Sequence, residues 1–385
     1  MTTSATTSEL YAWLRLSLEP NLGPATARKL LAHFGLPHQI YEQSVSGLSR
    51  YLPTTLAAQL HAAPTEALAQ QIERTLVWAQ QPEQHILCLA DSQYPAALLH
   101  LHDPPLVLYA KGNLAQLQYQ GLAIVGARSA TTQGLANARD FAQFLASEGW
   151  CIVSGLALGI DTAAHQGALA AQQPNSTIAL LATGIDRVYP ARNRELAHQI
   201  ASQGLLLSEF ALGLSAMRHH FVRRNRLVAA LSRGVLVVEA ALKSGSLSTA
   251  RLASEIGCEV FAIPGSIHSP LHKGCHQLIR SGAKLVESAE HILEEMGHNL
   301  PLPFHEARAK PQVQTQPQPQ PPRPLPDDLS PNVKQVAEAL GTETLSPDQI
   351  QNRCRGLNAA QVGVALAQLE LADLVSLLPS GLYQR

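Results

Sequence analysis

The sequence predicts an α/β protein: a parallel-sheet core between a helical N-terminal part and a C-terminal winged helix. Three observations predict it. Short, near-continuous apolar runs alternate with helical periodicity from about residue 84 to 297, as strands buried on both faces and their covering helices do. Residues 10–75 show helical spacing and no strand signal. A tract rich in proline and glutamine then separates the core from a segment that reads helix, helix, helix, hairpin.

The expected strands are Ile86–Leu89, Leu122–Val125, Cys151–Val153, Ile178–Leu181, Leu205–Leu207, Val235–Val238 and Val260–Ile263. Helical patterns over Thr132–Glu148, Asp161–Ala171, Asn193–Ser202, Phe221–Ser232 and Ser246–Ile256 separate most of the later ones. Near the N-terminus, Pro20-Asn-Leu-Gly-Pro24-Ala-Thr-Ala-Arg28-Lys29 has the form of a helix–hairpin–helix, with a glycine turn and proline at the next helix start. Residues 300–326 hold nine prolines, an extended linker without a core. Beyond it, Ser330–Leu340, Pro347–Arg353 and Ala359–Leu371 read as helices and Val375–Tyr383 as a hairpin. The expected organisation is therefore 1–80 helical, 81–298 core, 299–327 linker and 328–385 winged helix.

Composition narrows the function classes. With 385 residues, 46% apolar and 15% charged, the chain is a multi-domain globular protein. No apolar run reaches bilayer length, so no membrane segment is expected, and Met-Thr-Thr-Ser-Ala lacks a signal-peptide pattern. Five scattered cysteines suit a reducing cytoplasm. Net charge is only −1, yet between Glu209 and Glu239 the chain has five arginines and no acidic residue. Arg218, Arg223, Arg224, Arg226 and Arg233 predict a local basic surface.

The candidate site residues all follow strands, whose carboxyl ends hold the ligand in such sheets. First comes Gly126-Ala-Arg128-Ser129, between a strand and a helix start, where free N–H groups and the helix dipole favour an anion. The segment lacks the glycines of a dinucleotide fingerprint and the Gly-Lys-Ser/Thr of a nucleotide loop; its arginine points to a phosphate in a guanidinium fork. Next is Ser154-Gly155-Leu-Ala-Leu-Gly159-Ile-Asp161, a glycine turn with Asp161 placed to cap a helix. The third segment is Arg218-His219-His220-Phe221-Val-Arg223-Arg224-Asn225-Arg226; Arg223 and Arg226 share a helical face and the histidines add pH-sensitive charge. The fourth is Lys243-Ser244-Gly245-Ser246, another small-residue turn into a helix. Anion-ready helix starts, an arginine cluster and one aromatic ring fit a phosphodiester backbone with bases stacked nearby.

No catalytic constellation accompanies them. There is no Ser-His-Asp order, no metal-binding cysteine pair and no paired carboxylates in the strand-end segments, so neither cofactor nor metal is expected. His268, His272, Cys275 and His276 are close in sequence, but Pro270 breaks the helix their spacing needs.

Taken together, Ile124-Val-Gly-Ala-Arg-Ser129, Val153 to His165, Gly184-Ile-Asp-Arg-Val-Tyr-Pro190, Arg224-Asn-Arg226, Val238-Glu-Ala240 with Ser244-Gly-Ser246, and Ile263-Pro-Gly265 closely resemble the bacterial DNA-processing protein A family (DprA, or Smf). The resemblance implies a sterile-alpha-motif-like N-terminal domain, an extended Rossmann-like core and a winged helix. It also implies a non-catalytic homodimer, joined through the core, that binds and protects single-stranded DNA and loads the recombinase RecA during natural transformation. Carried onto this chain, the pocket uses Arg128, Arg218, Phe221 and Arg224 to Arg226. The rival is a phosphoribohydrolase-like enzyme on a related core, whose Pro-Gly-Gly-x-Gly-Thr signature is replaced here by Lys243-Ser-Gly-Ser-Leu-Ser-Thr249. Family members often have proline where Val222 follows Phe221. The third helix of the winged domain has no basic residue from Asn358 to Leu371, which favours a protein-contact role over reading a DNA groove.

Overall fold

In the computed structural model, residues 7–174, 176–297, 330–341, 345–354, 356–372, 374–377 and 383–384 are described. The chain divides into two compact units, Met1–Phe304 and His305–Arg385. The linker expected at 299–327 lies outside the described residues.

Six helices open the first unit: α1 (Thr7–Leu18), α2 (Pro24–Phe34), α3 (Pro37–Tyr41), α4 (Val45–Leu48), α5 (Thr54–His61) and α6 (Glu66–Ala79). Gly23 and Pro24 do form the turn and first helical position of α2. These helices do not close on a core of their own. Trp13, Leu16, Leu30, Leu60 and Ile72 pack in one cluster with Val107, Tyr109 and Leu206 of the sheet, so helices and core share their apolar interior.

Then come β1 (Gln84–Cys88), β2 (Val107–Gly112), β3 (Gly121–Val125), α7 (Thr132–Ser147), β4 (Cys151–Ser154), α8 (Ile160–Ala170), β5 (Thr177–Leu180), α9 (Arg194–Gln203), β6 (Leu205–Ser208), α10 (Arg218–Ala230), β7 (Gly234–Val237), α11 (Gly245–Glu255), β8 (Glu259–Ala262), α12 (Lys273–Arg280), β9 (Lys284–Leu285) and α13 (Glu290–Met296). They build a nine-stranded sheet in the order β1-β2-β6-β5-β4-β3-β7-β8-β9. From β6 to β9 every pairing is parallel. All seven expected strands are present. The sequence reading missed β2 and β9 and the antiparallel edge, in which β2 pairs with both β1 and β6. The β2 run follows Pro104-Pro105, which masks its start, and β9 has only two residues.

Side chains alternate along each strand, as a sheet covered on both faces requires. Leu122 and Ile124 of β3 face α7, α8 and α13, whereas Ala123 and Val125 face α10 and α11. The chain runs β3-β4-β5-β6 outward on one side of β3 and then crosses back to β7 on the other. The crossing carries α10 back over the sheet, where its Arg224 reaches the ends of β4 and β5. The reversal also creates a switch-point crevice between β3 and β7.

The second unit contains α14 (Pro331–Leu340), α15 (Pro347–Arg353), α16 (Ala359–Leu371) and the antiparallel pair β10 (Ser376–Leu377) and β11 (Tyr383–Gln384). Val336, Leu340, Ile350, Leu366 and Leu369 form its core. This is a winged helix. Gln361, Gln368 and Glu370 of α16 are exposed, so the surface of the third helix is uncharged or acidic at these positions.

One buried residue gives the first unit a defined response to acid. His165 of α8 is fully buried and its Nδ1 lies 2.7 Å from the Thr177 hydroxyl, which donates to the Ile152 carbonyl. Burial, reinforced by the charge of Arg224, pushes the imidazole down from 6.5 to about 3. Below pH 6.5 the unfolded chain takes up a proton that the folded chain refuses. Stability from this group is therefore intact above that pH and lost as pH falls toward about 3, with about 3 kcal/mol gone by roughly pH 4.5. Urea unfolding at neutral and acidic pH should show His165→Gln losing less stability on acidification than the parent. An equal loss in both proteins would remove His165 from the account.

Candidate functional site

The switch-point crevice is closed from inside. Glu239, just beyond β7, is 1% exposed; it accepts 2.9 Å from the Thr131 N–H and 2.5 Å from the Thr131 hydroxyl. Thr131 is the N-cap of α7, and its Oγ1 accepts from the Gly134 N–H. A Cβ on Gly134 would stand 2.4 Å from the Glu239 carboxyl carbon. The anion expected at this helix start is therefore the protein's own carboxylate. Gly126 likewise serves packing: a Cβ there would meet Ile160 at 2.6 Å.

The loop after β4 is also filled by a carboxylate. Asp161 accepts from the Gly155 N–H at 3.1 Å and the Ala157 N–H at 3.3 Å. It braces the loop instead of capping α8, whose N-cap, Gly159, has no side-chain bond. Burial pushes the Asp161 carboxyl up, opposed by Arg224 and the two amides. Ser154 is fully buried and donates to the Ile124 carbonyl at 2.7 Å.

The arginines of α10 divide by helical face. Arg224 is 4% exposed and turns inward, donating to the carbonyls of Gly155 at 2.5 Å and Leu180 at 2.6 Å. Burial lowers it to about 10, so it stays charged at neutral pH. Gly155 has to be glycine for this, since a Cβ would lie 2.2 Å from the guanidinium. Arg226 is 8% exposed and ties Glu209 at 2.5 Å and Asp103 at 3.5 Å. Arg223 shares Glu209 at 2.9 Å while remaining half-exposed. Burial pushes the Glu209 carboxyl up and its two arginines pull it back. Arg224, Arg226 and Ser154 thus hold the site together from beneath, which corrects their expected place on the binding surface. His220 is corrected as well: it is buried against Phe210 with rings 4.3 Å apart, and burial lowers its pKa, so it adds no charge near neutrality.

What remains exposed is compact. The Arg128 guanidinium lies 5.1 Å above the Phe221 ring, and Tyr189 meets that ring edge-on at 5.7 Å. Arg218 and His219 are exposed in the first turn of α10, a turn with no acidic residue. Cations at a helix N-terminus oppose the dipole, so the helix gains nothing from them while an anion gains from both. Ser129 and Lys243 are exposed too. Asn225 approaches the Gly245 carbonyl at 3.4 Å, and Ser244 caps α11 through the Ser246 N–H at 3.3 Å. That first turn also lacks an acidic residue. Tyr189, 50% exposed, was not among the expected site residues; its signal was its place in the segment 184–190, an aromatic residue in a polar turn.

A doubly wound sheet whose switch point is plugged by its own glutamate, beside a surface of arginine and aromatic rings, defines a Rossmann-like binding protein with a winged-helix appendage. A family profile described as DNA recombination-mediator protein A matches residues 85–297, and a DprA winged helix profile matches 319–381. The chain belongs to the DNA recombination-mediator protein A family, one of recombination mediators and not of enzymes. Protein Smf of a Synechocystis strain is 34% identical over 98% of this chain and 99% of its own length. Protein Smf of Escherichia coli is 40% identical over 81% and 80%. The structure of DNA processing protein A from Streptococcus pneumoniae aligns with TM-score 0.65 at 34% identity, covering 77% of this chain and 99% of that one. The Helicobacter pylori protein, described for its single-stranded DNA binding mode, aligns with TM-score 0.51 at 34% identity over 55% and 95%.

The two kinds of arginine should separate in unfolding experiments. Arg226→Ala leaves the buried Glu209 with one partner and should cost about 3 kcal/mol. Arg128→Ala removes an exposed side chain and should cost less than about 1 kcal/mol. Equal losses in urea titrations of the two variants would refute this division.

Proposed function

We propose that this chain binds and protects single-stranded DNA without catalysis, gripping phosphates with Arg128 and Arg218 and stacking a base on the Phe221–Tyr189 pair. Gly126, Gly155, Ser154, Arg224, Arg226 and Ser246, which is buried rather than on the expected binding surface, shape and stiffen this surface; Ser129, Arg223, Asn225, Lys243 and Ser244 border it. The observation that carries the reading is the Arg128–Phe221 contact, a cation and an aromatic face presented together at a sheet edge. The Helicobacter relative, described for single-stranded DNA binding, supports it. The closed switch point speaks against a free-nucleotide enzyme, since Glu239 stands where a nucleotide phosphate would bind.

Family membership extends the reading to a cytoplasmic homodimer that loads RecA onto the strand during natural transformation or recombination. Leu285, 47% exposed on the terminal strand β9, supports dimerisation through the core, because an open sheet edge with apolar side chains seeks a partner. The winged helix, with four Lys or Arg against five Asp or Glu in 329–385, acts as a protein-contact module.

Arg128→Ala should weaken binding of unrelated single-stranded oligonucleotides alike and reduce the salt slope by about 1, and Phe221→Ala should lower affinity roughly tenfold with the slope unchanged. Fluorescence anisotropy across a salt series reads both effects. Parent-like affinity and slope in both variants would sink the assignment.

A further inference from the structure

Beside the Phe221 platform is a cavity of about 580 Å³, lined in part by the segment 184–190, to which the sequence reading gave no binding role. Its walls are the turn from Thr183 to Tyr189, one face of α9, Lys111 of β2, and Ser215 with Ala216. Four basic side chains line it: Lys111, Arg187, Arg194 and His198. Arg194 and His198 are four apart on α9 and therefore project from one face. Among the described residues, none of Lys111, Arg187 and Arg194 forms an ion pair; Arg187 reaches only the Ser215 hydroxyl, at 3.3 Å. Asp186 is the one acidic residue among the lining residues; its oxygens accept the Gly213 N–H at 2.8 and 3.0 Å, and the four basic side chains outnumber it.

The walls are braced. The Thr183 hydroxyl donates to the Arg187 carbonyl, Arg187 N–H to Gly184, and Gly184 N–H to Leu214. This bracing fixes the turn that carries Arg187, so that wall loses little ordering entropy on binding. Unpaired cations converging on a rigid concavity are selective for an oxyanion.

Two links join the cavity to the Arg128–Phe221 surface. Tyr189 lines the cavity and touches the Phe221 ring. Ser215 and Ala216 line it and run within two residues into Arg218. A strand leaving the aromatic platform past Tyr189 enters this cavity directly.

From these observations we infer that the cavity is a second phosphate subsite, which takes the phosphodiester of a nucleotide flanking the one stacked on Phe221. Lys111 and Arg194 are its principal cations. The inference rests on the single-stranded DNA reading above. It assigns that strand a direction across the surface, from Arg128 past Tyr189 toward α9.

The test uses the full chain and oligothymidylates of increasing length. The parent should gain affinity in a step once the strand is long enough to reach the cavity. In Lys111→Ala with Arg194→Ala the step should disappear, the salt slope for long strands should fall by about 2, and affinity for long strands should drop at least roughly tenfold. Binding of the shortest strands should be unchanged. Among the described residues both side chains lie outside any ion pair, so the double variant folds normally, which thermal unfolding checks. Parent-like binding of long strands by the double variant overturns the subsite. Saturable binding of thymidine monophosphate that depends on Lys111 and Arg194, with no length step, overturns it in favour of a free-nucleotide site. Arg128→Ala and Phe221→Ala, run alongside, report on the platform independently: loss of binding in those variants alone leaves the platform standing and removes the cavity.

Discussion

Arg224 carries a full positive charge into the carboxyl edge of the sheet, and the geometry of the whole site depends on where its guanidinium rests. It donates to Gly155 beyond β4 and to Leu180 at the end of β5, while Asp161 supplies the opposing charge nearby. A guanidinium withdrawn from water at this depth is tolerable only because carbonyls replace its hydration and the Asp161 charge lies nearby. In return it pins α10 across two strand ends. The pinning then fixes where Arg218 and Phe221, two turns and one turn earlier on that helix, meet the loop carrying Arg128.

The same economy of charge explains why this sheet is not a nucleotide site. Helix starts at the carboxyl edge of a doubly wound sheet attract anions whatever their source. Here the α7 start holds Glu239 and the loop ahead of α8 holds Asp161, both from the chain itself. These internal anions stiffen the loops and neutralise the positions that would otherwise select a mononucleotide phosphate. Cationic selectivity is displaced outward, onto flexible side chains above the loops. An extended polyanion contacts many such side chains at once, whereas a small ligand would contact one or two. Affinity built this way is shared over several phosphates and screened by salt.

The sequence disclosed the sheet because its signal is local. Each β-strand from β3 to β8 is a four- or five-residue apolar run, and the helices between them keep a clear period. It concealed β2 and β9, whose strand character comes from neighbours and not from pattern: β2 is held between β1 and β6, and β9 by two pairings to β8. It also grouped six N-terminal helices as a domain, although their apolar faces are completed by Val107, Tyr109 and Leu206 from distant positions. Such completion is visible only once the chain is folded.

At the site, residue type was legible and residue role was not. An arginine run announces positive charge, but whether each guanidinium meets water or protein depends on the helix phase and on what lies beneath. Arg223 and Arg226 share a face that is met by Glu209, an acid from the far side of a long loop. Arg224, between them in sequence, meets carbonyls contributed by two other strand ends. Glu239 reads as an ordinary acid until the fold places the Thr131 donors around it, and Asp161, expected to cap α8, instead receives the amides of the loop ahead of it. Tyr189 and the basic face of α9 carried no assigned role for the complementary reason: Lys111, Arg187 and Arg194 are far apart in sequence or on different elements, and they meet only where β2, the β5 loop and α9 come together in space. A phosphate-tracking surface assembled from cations on separate elements has no single motif, so the fold has to be known before its charge can be followed.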